Sequence, residues 1–168
     1  MTFQSLPVSR RTVLRFSALT FAAGVAGCAT HAPVKVSNVP GADQTAAALP
    51  LVNALRAKNG LPALSVDPAA TAAALYQAKR MASAGKMQHL IGTGDDFGVR
   101  VKASGVKLPA AENIAAEQHD VGAAVTAWIN SPKHLHNMLG NYGGLGVAVA
   151  HASASGDTPY WAMVLSTV

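Results

Sequence analysis

The chain has 168 residues, of which 13 are Lys or Arg and eight are Asp or Glu, so its formal charge is +5. Three of the basic residues, Arg10, Arg11 and Arg15, lie within residues 1–27, whereas all the acids follow. Removal of this segment would leave ten basic against eight acidic residues, a net charge of +2. Nucleic-acid-binding proteins carry clustered basic residues along one face, so the composition excludes that class.

Residues 1–27 are predicted to be an export signal. Arg10 and Arg11 precede a largely apolar run over residues 16–26, which is too short for a stable membrane anchor. The sequence around the paired arginines resembles the twin-arginine export motif, which implies export of the folded protein. The run ends in VAGC at Cys28, which resembles a bacterial lipobox, in which the cysteine is acylated and becomes the new N-terminus. A plain secretory signal or an uncleaved anchor is the alternative.

Cys28 is the only cysteine, so the mature chain can form no internal disulfide and has no other thiolate. Lipid on Cys28 would hold the protein on a membrane, since more than one acyl chain binds firmly. Ala29 follows in place of the aspartate that favours inner-membrane retention, so we expect the periplasmic face of the outer membrane. Residues 28–43 are predicted to form a flexible tether, and residues 44–168 one domain.

Two helices are predicted in the first half of this domain. The apolar spacing after Pro50, which fits a first turn, predicts a helix that ends before Gly60. Asp67 and Pro68 are suited to the cap and first turn of a second, alanine-rich helix that ends near Gly85. Because alanine is small, whatever packs on this helix can approach it closely.

Three further helices are expected before the end of the domain. Asp95 or Asp96 opens a short helix, and Asp120 caps the helix with the clearest apolar period in the chain. Ser131 can cap a new turn that starts at Pro132. His134 would then lie in the first turn, where the positive helix end favours a neutral ring.

The strands are predicted mainly near the C-terminus. Residues 145–150 alternate large and small side chains, and residues 160–165 form a natural return strand. Residues 112–117 are also expected to be extended. Helices first and antiparallel strands last predict an α+β domain with helices stacked on a small sheet.

Three residues are candidates for a functional site: His89, Glu112 and His134. They lie far apart in the sequence, so they share a site only if the fold brings them together. His136 is an alternative to His134, but two residues on a helix point about 200° apart. We therefore expect His134 to face the site.

Several motifs, in this order, resemble the CAP family, also called SCP-like, which includes cysteine-rich secretory proteins, antigen 5 and plant pathogenesis-related proteins. The motifs are LVNALRAKNGLPALSVDPAATAAALYQAKRMA, KMQHL, AENIA, WINSPKHLHNML, GGLGVAVA and YWAMVLS. The match covers about residues 44–168. It implies an α-β-α sandwich around an antiparallel sheet of about three strands, with a central cleft.

The resemblance implies that His89 and His134 are the two cleft histidines and that Glu112 is a cleft acid. The second acid of many members would fall at Ser131, so the site is reduced to three residues. Two imidazoles and a carboxylate can bind Zn²⁺ with an open fourth position, or act as base and orienting groups for a water. A hydrogen-bonded cluster without catalytic function is the third possibility.

We therefore expect a lipid-anchored protein of the cell envelope that serves as a binding module. Its partners would be the membrane, through Cys28, and a divalent metal such as zinc, a small apolar ligand or another envelope component in the cleft. A metal-dependent hydrolase that acts on peptide or cell-wall material is the alternative.

Overall fold

The computed structural model describes residue 36 and residues 38–168. The predicted export signal with Arg10 and Arg11, the lipidation site Cys28 and most of the tether lie outside these residues. Within the described part of the chain, no helix has both the length and the apolar character needed to cross a membrane.

The described chain alternates helices with short strands before it ends in two long strands. Its elements are, in chain order, β1 (Gly41–Asp43), α1 (Thr45–Lys58), β2 (Ser65–Val66), α2 (Pro68–Ala84), α3 (Phe97–Ala103), β3 (Ala110–Ala116), α4 (Val121–Ile129), α5 (Pro132–Met138), β4 (Gly144–Ala150), a 3-10 turn (Ser153–Ser155) and β5 (Tyr160–Ser166). The predicted helices are all present, but α1 starts earlier than expected, so that Pro50 lies inside it.

Aspartate caps begin three of the helices, as their positions predict. Asp67, Asp96 and Asp120 each accept a hydrogen bond from a backbone N–H in the first turn of α2, α3 and α4, at 2.7–3.1 Å. Asp96, and not Asp95, therefore caps α3. Ser131 occupies the N-cap position of α5, but its side chain makes no capping hydrogen bond.

The sheet has five strands, so the expectation of about three is corrected. The long strands β4 and β5 pair antiparallel, as predicted, and β3 pairs antiparallel with the other edge of β5. Two short strands that the sequence did not reveal lie along the outer edge of β4: β1 is antiparallel to it and β2 is parallel. β1 falls within the predicted tether, whose last three residues therefore belong to the sheet. Neither short strand has enough residues for an alternating pattern to show.

The sheet is covered by helices on both faces, which makes the domain an α-β-α sandwich. Large side chains of β4 and β5 pack against α1, α4 and α5, and the small ones pack against the alanines of α2. A Cβ on Gly146 would lie only 2.1 Å from the backbone nitrogen of Thr71, so glycine there lets α2 lie directly on β4. The predicted large and small faces of β4 are confirmed.

β3 is the edge strand at the end of the sheet opposite β1. Glu112 lies on the same face of β3 as Ile114, which packs with α2, whereas Asn113 lies on the face towards α5. Because the strand is at an edge, side chains from both faces can border one opening there. This edge is where the candidate residues meet.

Candidate functional site

His89 lies on the loop between α2 and α3 and contacts Glu112 of β3. Its Nδ1 is 2.8 Å from Oε1 of Glu112. The His89 side chain is 53% exposed, whereas that of Glu112 is only 2% exposed. A carboxylate only accepts hydrogen bonds, so Nδ1 carries the proton and, in the neutral ring, Nε2 carries the lone pair. The contact thus fixes which nitrogen can meet a ligand.

Arg100 of α3 holds the Glu112 carboxylate from the other side. Nη1 of Arg100 donates to Oε2 at 2.8 Å and Nη2 donates to Oε1 at 2.9 Å, a bidentate pair. Burial by itself would raise the pKa of Glu112. Hydrogen bonds from His89 and Arg100 and the charge of Arg100 outweigh burial, and the pKa lies below its ordinary value. Glu112 is therefore ionised at neutral pH.

Buried side chains of α2 and α3 also hold the loop that carries His89. Gln77 donates to the carbonyl of Gln88 at 2.7 Å, and Arg100 Nη2 donates to the carbonyl of His89 at 3.0 Å. Arg80, which is fully buried, forms an ion pair with Asp95 farther along the same loop. The position of His89 is thus set by the helices on either side of its loop.

His134 is placed by an asparagine pair between β3 and α5. Nδ2 of Asn113 donates to the carbonyl of His134 at 3.1 Å, and Nδ2 of Asn137 donates to Oδ1 of Asn113 at 2.8 Å. Asn113 is fully buried, so both bonds are shielded from water. They attach the first turns of α5 to the edge strand next to Glu112.

Arg56 of α1 fixes the other end of α5. It is 1% exposed and donates to four backbone carbonyls, those of Pro62, Met138, Gly140 and Tyr142. An arginine can satisfy its donors in this way without a carboxylate partner. α5 is therefore held at both ends, which keeps its histidines in place over the cleft.

These elements surround a cleft of about 470 Å³, called here the central cleft. His89, Glu112 and His134 all border it, and so do Pro132, Lys133, His136 and Asn137. His134 therefore borders the cleft, and the more exposed His136 of the same helix borders it as well. Burial, and secondarily the nearby His89, lower the pKa of His134, so its ring is neutral at pH 7.

Two histidines of the cleft are candidate metal ligands. His89 and His134 offer imidazoles, whose neutral form binds zinc. Both oxygens of Glu112 already accept hydrogen bonds from Arg100, and one also from His89, so this carboxylate is suited to orient His89. In residues 38–168, no three His, Cys, Asp or Glu side chains form a group that could hold a metal ion.

Sequence reasoning missed the residues that support the cleft. Arg100, Arg80 and Gln77 lie on helices whose apolar period was visible, but nothing in a helical pattern shows that a long polar side chain turns inward. Asn113 lies within the AENIA motif, which by itself assigns it no role. Trp128 lies in the core and is 0% exposed.

The fold and the cleft define a class: an α-β-α sandwich in which two histidines and a buried glutamate meet at the edge strand. The family model of the cysteine-rich secretory protein family, CAP, matches residues 49–165. The chain therefore belongs to the CAP family, as its motifs predict.

Solved structures show the same fold. An extracellular protein of Bacillus anthracis that contains an SCP domain is 27% identical, with a TM-score of 0.64 over 73% of this chain and 40% of its own. An outer surface protein of Borrelia burgdorferi is 18% identical, with a TM-score of 0.62, and covers 76% of this chain and 98% of its own. A cysteine-rich secretory protein of Staphylococcus aureus is 19% identical, with a TM-score of 0.54, over 74% of this chain and 38% of its own. No curated protein matches this chain.

The first prediction concerns the buried ion pair. Arg100→Ala would leave the Glu112 carboxylate in the interior without its counter-ion, which should lower the free energy of unfolding by about 3–5 kcal/mol. Lys102→Ala, an exposed change on the same helix, should cost less than about 0.5 kcal/mol. Urea denaturation measures both, and equal stability of the two variants would contradict a stabilising pair.

The second prediction is a pH dependence of stability. Because folding lowers the pKa of His134, the unfolded chain takes up a proton as the pH falls through about 6.5 while the folded chain does not. The free energy of unfolding should therefore decrease between pH 7 and 5, and less steeply in His134→Gln than in the wild type. His119→Gln, an exposed change, is the control. Parallel curves for the wild type and His134→Gln would contradict the lowered pKa.

Proposed function

We propose that this protein is an exported, lipid-anchored binding module of the cell envelope whose central cleft binds a divalent transition metal through His89 and His134. The observation that carries the proposal is the contact between Nδ1 of His89 and the ionised, buried Glu112. It leaves the lone pair of Nε2 available beside a second neutral imidazole. A carboxylate behind a histidine ligand commonly fixes its tautomer and raises its basicity.

The environment of Glu112 favours binding over a hydrolysis in which this carboxylate is the base. A hydrolase of the expected kind needs a carboxylate or imidazole that can take a proton from water. Glu112 is held by Arg100 with both oxygens engaged, and its lowered pKa makes it a weak base. The position at which many family members carry a second acid is Ser131. A metal bound by two histidines would instead keep open positions for polar groups of a ligand.

The cleft presents several polar groups to a ligand beside an apolar surface. Lys133, His136 and Asn137 add polar groups to those of the three candidate residues. A purely apolar molecule would have to desolvate these groups without replacing their hydrogen bonds, which is unfavourable. The metal and the polar groups of a second envelope component are therefore the proposed occupants.

Export and anchoring are proposed from the N-terminal motifs around Arg10, Arg11 and Cys28. The similar structures from Bacillus anthracis and Borrelia burgdorferi are described as an extracellular and an outer surface protein, which supports an exported location for this chain as well. With Ala29 after the cysteine, we propose the periplasmic face of the outer membrane.

A metal titration tests the cleft. Calorimetry of metal-free protein with Zn²⁺ should show one site, and His89→Ala or His134→Ala should each weaken it at least tenfold, because each removes a ligand. His119→Ala, an exposed histidine away from the cleft, should bind like the wild type. Glu112→Gln should retain the site but weaken it about 10–100-fold, as expected for an orienting group. Binding that is the same in all of these variants would contradict the proposal.

Lipidation is tested at Cys28. Labelled palmitate should be incorporated into the wild-type protein and not into Cys28→Ser, since the chain has no other cysteine. The wild type should sediment with membranes, whereas the variant should be depleted from them. Incorporation of label into Cys28→Ser would contradict an anchor at this residue.

A further inference from the structure

A second pocket of about 240 Å³, called here the side pocket, lies next to the central cleft. The two share His134 as a lining residue. The other walls of the side pocket are mainly apolar and come from β3 and α4, namely Ile114, Ala115, Ala116, Ala127 and Trp128. The two pockets thus lie side by side, with a single imidazole between them.

The charges around the central cleft favour an anion. Glu112 is the only acid that lines it, and Arg100 directly behind neutralises that carboxylate. Lys133, which is exposed at the rim, is then a positive charge without a compensating acid among the lining residues. His134 and His136 add N–H groups that can donate to an anionic oxygen.

The side pocket is suited to a compact apolar side chain. Alanines at 115, 116 and 127 leave the space open, and Trp128 is already satisfied, since its Nε1 donates to the carbonyl of Ile114 at 3.0 Å. Gln118 also borders the pocket, and its Oε1 is buried with no hydrogen-bond partner among the described residues. A buried acceptor of this kind calls for a donor, such as an amide N–H.

We propose that the central cleft and the side pocket together bind the C-terminal end of a peptide whose last side chain is apolar. The terminal carboxylate lies near Lys133 and the histidines, the last side chain enters the side pocket, and an amide N–H meets Gln118. The inference rests on the proposed function in that the cleft is a binding site, and it adds the class of ligand.

Three acetylated dipeptides separate these contributions. They are acetyl-Ala-Leu, acetyl-Ala-Gly, which lacks the apolar side chain, and the amide of acetyl-Ala-Leu, which lacks the charge. Each is titrated into purified full-length protein freed of metal by dialysis, with the indole N–H signal of Trp128 followed by NMR. Acetyl-Ala-Leu should bind at least tenfold more tightly than either of the others, because only it satisfies both cavities.

Two variants assign the contributions to the two cavities. Ala127→Leu fills the side pocket and should remove the preference for leucine over glycine, whereas Ala123→Leu, an exposed position one turn earlier on α4, should keep it. Lys133→Gln should remove the preference for the carboxylate over the amide and keep that for leucine.

The outcomes distinguish this inference from the metal proposal. Equal binding of the three peptides to the wild type, or a preference for leucine that survives in Ala127→Leu, would overturn the peptide site even if zinc binds as proposed. If acetyl-Ala-Leu binds most tightly and the two variants lose the preferences described above, the peptide site is supported even if the zinc titration fails.

Discussion

The bidentate ion pair between Arg100 and Glu112 is the interaction on which the rest of the site depends. Both side chains are almost fully buried, so each charge requires the other. The pair holds the carboxylate ionised, and the ionised carboxylate fixes the His89 ring, whose Nδ1 lies 2.8 Å away. Arg100 also binds the carbonyl of His89. One guanidinium therefore sets the position of the loop and the tautomer of the ring.

The position of β3 at the edge of the sheet explains why the cleft forms there. Side chains that alternate along a strand lie on opposite faces of the sheet, which separates them in its interior. At an edge, Glu112 on one face and Asn113 on the other can support the same opening. Glu112 binds groups from α3 and its loop, and Asn113 binds α5. The cleft is thus the place where the two helical layers of the sandwich meet around the last strand, and both layers contribute histidines.

A carboxylate held in this way has a different chemistry from one that is open to water. Glu112 is a poor base and a poor metal ligand, but it is well suited to orient an imidazole. This difference supports the proposal of a binding module over that of a hydrolase. The polar groups of the cleft and the apolar walls of the side pocket support the proposed ligand, which has both kinds of group.

The amino-acid sequence by itself determined the helices, their aspartate caps, and the large and small faces of β4. It also determined the three residues that border the cleft. These features could be predicted because periodicity, capping and family motifs are local signals. The sequence did not reveal β1 and β2, because strands of two or three residues are too short to show an alternating pattern. It also did not reveal the start of α1, because Pro50 favoured a later first turn. Only the tertiary structure decided that Arg100 neutralises Glu112, that Asn113 holds α5 and that His136 reaches the rim. Those contacts join elements distant in the chain, and each depends on how a long side chain turns within the packed core.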